Sequence, residues 1–208
     1  WPHGDCHVTS TESAHDAGRT TAGLLSFHDW KEGAWAVLFS HPADFTPVCT
    51  TELGRTAALS GEFAARNAKA IAVSVDSVKD HLRWVPDIAE VAGVDVDFPI
   101  IADEDRSVSQ AYDMIHPGEG DTSTVRSVFL IDPSNTVRLT ITYPKSVGRN
   151  FTEILRALDA LQATDRSPIS TPAEWVPGDR VIVAPAIATD DARERFANVD
   201  EVKPYLRF

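Results

Sequence analysis

Cysteine is nearly absent: Cys6 and Cys49 are the two in a chain of 208 residues. A disulfide-held scaffold of this length needs many more, so a reducing, cytoplasmic setting is expected. Positive charge is also short, with 19 Lys and Arg against 31 Asp and Glu and a net charge of -12. Such a surface repels nucleic-acid phosphates and anionic lipid heads, which sets both aside as main partners. No apolar run approaches the roughly 18–20 residues that span a bilayer. The first 25 residues lack the basic-then-apolar pattern of a secretory signal. There is no Cys-x-x-Cys pair, no internal repeat and no low-complexity tract. His3, His7 and His15 follow no ligand spacing, so no metal is expected there, and no motif calls for a cofactor.

What is present is core. Hydrophobic residues make up 43% of the chain, enough for one full domain with a small appendage. Residues 1–23 are polar and predict an irregular arm, with order beginning near Leu24. Trp35 to Phe39 and Lys69 to Val75 are short, uninterrupted apolar runs, as in strands covered on both faces. A helix over about Pro47–Asn67 separates them, giving a β-α-β unit with parallel strands. Ser77 and Asp80 open a second helix carrying Leu82, Val85 and Ile88, with Pro86 as a kink or break. Phe98–Ile101 is a brief extended piece, and Arg106–Tyr112 a short helix. Thr124–Ile131 and Thr136–Thr142 predict a hairpin around Asp132-Pro-Ser-Asn135. Asn150 with Glu153 caps a further helix running to about Ala163. This order, β-α-β followed by β-β-α, predicts an α/β protein of thioredoxin-like fold, with a central mixed sheet and a small C-terminal extension.

Chemistry concentrates around Cys49. A buried strand ends at Phe39, a loop containing Pro42 leads to Thr46 as N-cap, and Pro47 suits the first helical position. Cys49 then falls third in the helix, where unpaired N–H groups and the helix dipole favour an anion. The thiolate is the reactive form. A free thiol of pKa ~8.5 is only about 3% ionised at pH 7, so complete ionisation gains about thirty-fold. A fast reaction therefore also needs groups that hold the substrate and stabilise developing charge. Taken alone, a cysteine here favours a structural role over a reactive one, because cysteine is among the most buried residue types.

The pattern Pro42-x-x-x-Thr46-x-x-Cys49 resembles the peroxiredoxin signature, and the longer run from Ser40 to Gly54 resembles the 1-Cys branch, including His41. The likeness extends through Ser74–Ser77 with His81, Phe98–Asp103, Arg126–Pro133 and Gly148–Phe151. It continues in the tail at Thr171–Trp175, Gly178-Asp179 and Tyr205–Arg207. The resemblance implies a thiol peroxidase acting on hydrogen peroxide and organic hydroperoxides. Cys49 would be the nucleophile, Thr46 would hydrogen-bond the peroxide, and Pro42 would shield the sulfur from water. Arg126 would stabilise thiolate and transition state, oriented by Glu52 and Arg149. His41 is open between touching the sulfur or incoming thiol and packing beside the loop.

No Cys follows Cys49 in this sequence, so the resemblance implies reduction by an external thiol, either a small molecule or a thioredoxin-like protein. Cys6 is expected to be an incidental free thiol, with a Cys6–Cys49 disulfide as the alternative. The branch implies a homodimer, with higher rings as a further option. Expected boundaries are an arm at 1–23, a peroxidase domain at 24–166 and an extension at 167–208 that contacts the partner. Residues 1–23 lack the family's usual opening strand, so an edge hairpin would be absent or rebuilt. Two alternatives stand beside the peroxidase: a chaperone or signalling protein, and a thiol–disulfide oxidoreductase, which the missing Cys-x-x-Cys disfavours.

Overall fold

The computed structural model describes residues 17–115 and 122–208, which divide into two compact units, residues up to 151 and residues 152–208. Cys6, His3, His7 and His15 lie outside the described residues.

The first unit opens with β1 (Ala17–Thr20), β2 (Gly23–Ser26) and α1 (Phe27–Lys31). Next come β3 (Trp35–Ser40), α2 (Pro47–Ala58), α3 (Ser60–Ala65) and β4 (Ala68–Ser74). These are followed by α4 (Val78–Ala92), β5 (Ile100–Ala102), α5 (Ser107–Ala111), β6 (Arg126–Ile131) and β7 (Val137–Tyr143). One seven-stranded sheet runs β2-β1-β5-β4-β3-β6-β7. β3, β4 and β5 pair in parallel, and every other pairing is antiparallel, so the sheet is mixed.

The uninterrupted apolar runs form the middle of this sheet. Every residue of β3 and β6 is buried, as two covered faces require. Alternate residues feed the two sides. Ala36 and Leu38 join Ile71, Val73, Phe129 and Ile131 in one cluster. Phe39, facing the other way, meets Phe98 and Phe151 at ring separations of 5.9 and 5.8 Å. The hairpin between β6 and β7 turns as its sequence predicts. Asp132 Oδ1 accepts from the backbone N–H groups of Ser134 and Thr136, and Asn135 takes φ 67°.

Four local expectations are corrected. Residues 17–23 are not irregular but form the β1–β2 hairpin at the sheet edge. They carry no Asn-Gly type signal. Instead, Thr20 Oγ1 accepts from Ala22 N and donates to Gly23 O, while Gly23 takes φ 97°. The helix expected over 47–67 is broken at Leu59, whose ψ of 9° tightens the turn. Pro86 does not end α4. It is exposed, so the Leu82 carbonyl that lacks its N–H partner can reach water. The buried face of α4 is His81, Trp84 and Ile88, whereas Leu82 is 53% exposed.

The second unit contains the body of α6 (Phe151–Arg166), then β8 (Ile169–Ser170), β9 (Ile182–Val183), α7 (Thr189–Arg195), β10 (Glu201–Lys203) and β11 (Leu206–Arg207). β8 pairs with β9 and β10 with β11. Val183, Ile187 and Ala192 form its small core. Arg207 is buried and donates to the carbonyls of Ile187 and Ala184, at 2.7 and 3.3 Å. The division at 151/152 places α6 with the tail, whereas the proline-rich composition suggested a boundary near 167.

Candidate active site

Cys49 is the third residue of α2 and has no exposed surface. Pro47 takes the first helical position as expected, and Thr46 stands at the N-cap with an extended backbone. The Thr46 hydroxyl does not cap the helix, however. It donates to Ala43 O at 2.8 Å and takes no hydrogen bond from the first turn. The preceding residue, Phe45, has φ 55°, a left-handed conformation that costs a bulky side chain about 1–2 kcal/mol. Strain of this kind persists where surrounding structure over-determines it. Here the Phe45 ring is flanked by the Arg83 guanidinium at 5.6 Å and the Trp84 ring at 6.2 Å. Pro42 is buried in the same loop.

Glu52 lies one turn beyond Cys49 on the same helix, and two arginines converge on it. Arg126 opens β6, and its Nη1 donates to Cys49 Sγ at 3.3 Å and to Glu52 Oε2 at 2.7 Å. Its Nε donates to Lys145 O at 2.8 Å, which fixes the guanidinium plane. Arg149 donates to Glu52 through its backbone N (2.8 Å), Nε (3.0 Å) and Nη2 (2.6 Å), and to Ser127 O through Nη1. The Phe39 ring lies 5.1 Å beneath that guanidinium. All four side chains are buried.

A buried carboxylate between two guanidiniums is satisfied in charge and in hydrogen bonds. Desolvation pushes the Glu52 carboxyl up, but hydrogen bonds and charge from Arg149, with the charge of Arg126, hold it net below its ordinary value. Burial pulls Arg149 down, opposed by Glu52. Two positive groups and one negative leave one positive charge in excess, facing Sγ. This arrangement suits a sulfur that becomes an anion.

These positions are legible as a motif, yet their contacts are not. Sequence reasoning missed what His41 does. His41 makes no hydrogen bond to the sulfur. Its Nε2 lies 2.9 Å from Asp44 Oδ1, and Asp44 Oδ2 lies 2.6 Å from His81 Nδ1. All three side chains are buried. Asp44 was hidden inside the motif, and its i, i+3 spacing from His41 was the available signal. Desolvation pushes Asp44 up, but hydrogen bonds from His41 and His81 hold it net below the usual carboxylate range. Burial pulls His41 down, against the attraction of Asp44.

Among the described residues these three are the grouping whose ligand atoms come close enough to hold a metal ion, within 4.8 Å of one another. Both carboxylate oxygens already face an imidazole nitrogen at hydrogen-bonding distance. A cation would have to pry those pairs apart, so the arrangement is that of a hydrogen-bond chain.

A family model described as the AhpC/TSA family matches residues 9–140, and one for the C-terminal domain of 1-Cys peroxiredoxin matches 160–198. The chain belongs to the AhpC/TSA family of peroxiredoxins. A mitochondrial peroxiredoxin of Saccharomyces cerevisiae is 50% identical over 196 residues, covering 91% of this chain and 75% of that protein. A 1-Cys peroxiredoxin of Dictyostelium discoideum is 49% identical over 189 residues, covering 90% and 78%. A solved yeast mitochondrial 1-Cys peroxiredoxin, described in connection with thiol resolution through glutathione and thioredoxin systems, superimposes with a TM-score of 0.88. It is 49% identical over 92% of this chain and 93% of that one. This peroxiredoxin is thus a thiol peroxidase with a thioredoxin-like fold, as its motifs predicted. No helix among the described residues is long and apolar enough to cross a membrane.

Proposed function

We propose that Cys49 is the peroxidatic nucleophile and that Arg126, Glu52 and Arg149 form the charge system that serves it. The observation that carries this reading is one nitrogen, Arg126 Nη1, shared between Cys49 Sγ at 3.3 Å and Glu52 at 2.7 Å. The thiolate attacks one peroxide oxygen. A sulfur–oxygen bond forms and the O–O bond breaks, and the leaving alkoxide takes a proton to give ROH and a Cys49 sulfenic acid. Arg126 stabilises negative charge as it moves from sulfur to the leaving oxygen. Thr46 hydrogen-bonds the peroxide through its hydroxyl, whose oxygen can still accept. Pro42, buried in the loop, keeps water from the sulfur.

An external thiol, either a small molecule such as glutathione or a thioredoxin-like protein, reduces the sulfenic acid. No Cys follows Cys49 in the sequence, and Cys49 is a free thiol. Dependence on a thiol donor favours a reducing compartment. The cytoplasm fits, and so does the mitochondrial setting in the name of one relative. The working unit is a homodimer, with rings as a larger assembly, and residues 167–208 form the extension that contacts the partner.

The test is peroxide consumption with and without glutathione. Turnover should require the thiol, vanish in Cys49→Ser and survive in Cys6→Ser. Loss of turnover in Cys6→Ser would show that the resolving thiol is internal.

A further inference from the structure

A groove of about 540 Å³ lies between β1 and the start of α4, within the size range of small-molecule pockets. Arg19, Lys79 and Arg83 line it, with Glu104 as the acidic residue beside them. Val78 and Leu82 give it an apolar wall, and Leu82 is 53% exposed. The cations are largely unpaired. Arg19 and Lys79 make no hydrogen bond or ion pair among the described residues. Arg83 reaches Asp80 only at 3.5 Å, with both side chains open to solvent. The start of α4 is closed by its own cap, Ser77 Oγ accepting from Asp80 N, so the groove offers side-chain charge rather than helix N–H groups.

Two contacts tie this groove to the sulfur. The Arg83 guanidinium lies 5.6 Å from the centre of the Phe45 ring, and Phe45 comes directly before Thr46. Trp84, next to Arg83 on α4, donates from Nε1 to Thr50 Oγ1 at 3.3 Å, and Thr50 follows Cys49. One ring contact and one helical turn thus separate Arg83 from Cys49, roughly 10 Å. An extended tripeptide spans about 10 Å as well. A positive groove beside the reacting residue runs against the rest of the chain, whose net charge is -12. Such a surface repels a small anion elsewhere and concentrates it here. Cys49 has no exposed surface, so a thiol meets it only when the first turn of α2 opens. A thiol held beside that turn reacts more often than one arriving by diffusion.

We propose that this groove docks the carboxylates of an anionic peptide thiol, the reductant of the Cys49 sulfenic acid, and that Lys79, Arg83 and Arg19 select it over neutral thiols. This inference rests on the function proposed above. The carboxylates sit against the three cations, and the thiol end reaches past Phe45 toward Cys49. Its sulfur attacks Sγ, a sulfur–sulfur bond forms and the S–O bond breaks. The departing hydroxide takes the thiol's proton and leaves as water. The balance is RSH plus Cys49–SOH to the mixed disulfide plus water, and a second thiol then exchanges with the mixed disulfide to release Cys49.

The test compares glutathione with its diethyl ester, which keeps the same thiol but has no free carboxylate. Cys49 is first oxidised to the sulfenic acid with hydrogen peroxide, and its reduction is followed by rapid quench and intact-mass spectrometry. Wild type should be reduced faster by glutathione than by the ester, and the preference should vanish in about 1 M salt, where charges are screened beyond about 3 Å. Lys79→Gln combined with Arg83→Gln should slow reduction by glutathione about ten-fold and leave reduction by the ester within about two-fold, since an exposed ion pair is worth up to about five-fold. Arg83→Lys, which keeps the charge, should retain most of the preference. S-methylglutathione, which has both carboxylates but no thiol, should compete with glutathione in wild type and not in the double variant. An equal loss with both thiols, no loss with glutathione, or a preference that survives high salt would overturn the inference and leave the peroxidase reading standing. Failure of the wild type to form a sulfenic acid would overturn both.

Discussion

Glu52 stands one helical turn beyond Cys49, so the helix that carries the sulfur also carries the carboxylate anchoring the guanidinium that touches it. Arg126 cannot swing away without breaking its 2.7 Å bond to Glu52. One short stretch of α2 therefore places both the sulfur and the carboxylate that holds its guanidinium, while β6 and the segment before α6 supply the positive charge.

Removing that carboxylate should be costly twice. In Glu52→Ala, two buried guanidiniums lose their counter-charge, a change worth about 3–5 kcal/mol of stability. The expected result is a lower urea midpoint with an unchanged slope. Glu52→Gln keeps the volume, and its peroxide reaction should slow roughly 10–100-fold, on the scale of losing one preorganised donor.

Arg126→Lys separates charge from geometry. A single ammonium cannot reach Cys49 Sγ, Glu52 and Lys145 O together, as the guanidinium does. Oxidation by hydrogen peroxide should slow about 100-fold. A rate within about three-fold of wild type would mean that charge alone suffices.

Stability should fall with acid in two windows. Burial lowers the folded-state pKa of His41 below its ordinary 6.5, so the unfolded chain binds more protons there. The stability this neutral ring carries is present above about pH 6.5 and declines below it. Glu52 and Asp44, with folded values held below their ordinary ones, add stability that is full above about pH 4.5 and is lost as pH falls further. Denaturation midpoints measured from pH 8 to pH 3 should show both declines. Glu52→Gln should flatten the lower one.

Gly54 is a packing requirement. A Cβ there would come within 2.8 Å of the Ala92 Cβ, where α2 meets α4. Gly54→Ala gains up to about 1 kcal/mol in helix propensity but forces this contact, and overpacking of this kind costs about 1–3 kcal/mol. A net loss in thermal midpoint is expected.

How much was legible varies with the physics. β3, β4 and β6 could be read because a strand covered on both faces must be apolar throughout. The β6–β7 turn could be read because Asp132 and Asn135 carry their own turn chemistry. The β1–β2 hairpin could not, since Thr20 and Gly23 make the turn through contacts that composition does not announce. Cys49 at a helix start was visible from Thr46 and Pro47, but the Thr46 hydroxyl turned to Ala43 instead of capping the helix. Arg126 and Arg149 were placed by resemblance alone, because residues 74 and 97 positions from Glu52 meet it only once the sheet is assembled. Of the contacts of Asp44, the spacing to His41 was legible, but the one to His81 was not, because that residue comes from α4, 37 positions away.

The most direct test of the central claim is to mix reduced protein with one equivalent of hydrogen peroxide, trap sulfenic acid with a selective reagent and map it by mass spectrometry. Wild type and Cys6→Ser should both carry the label on Cys49, and Cys49→Ser should carry none. An unlabelled Cys49 that stays reduced would contradict the account, as would a Cys6–Cys49 disulfide in place of the label.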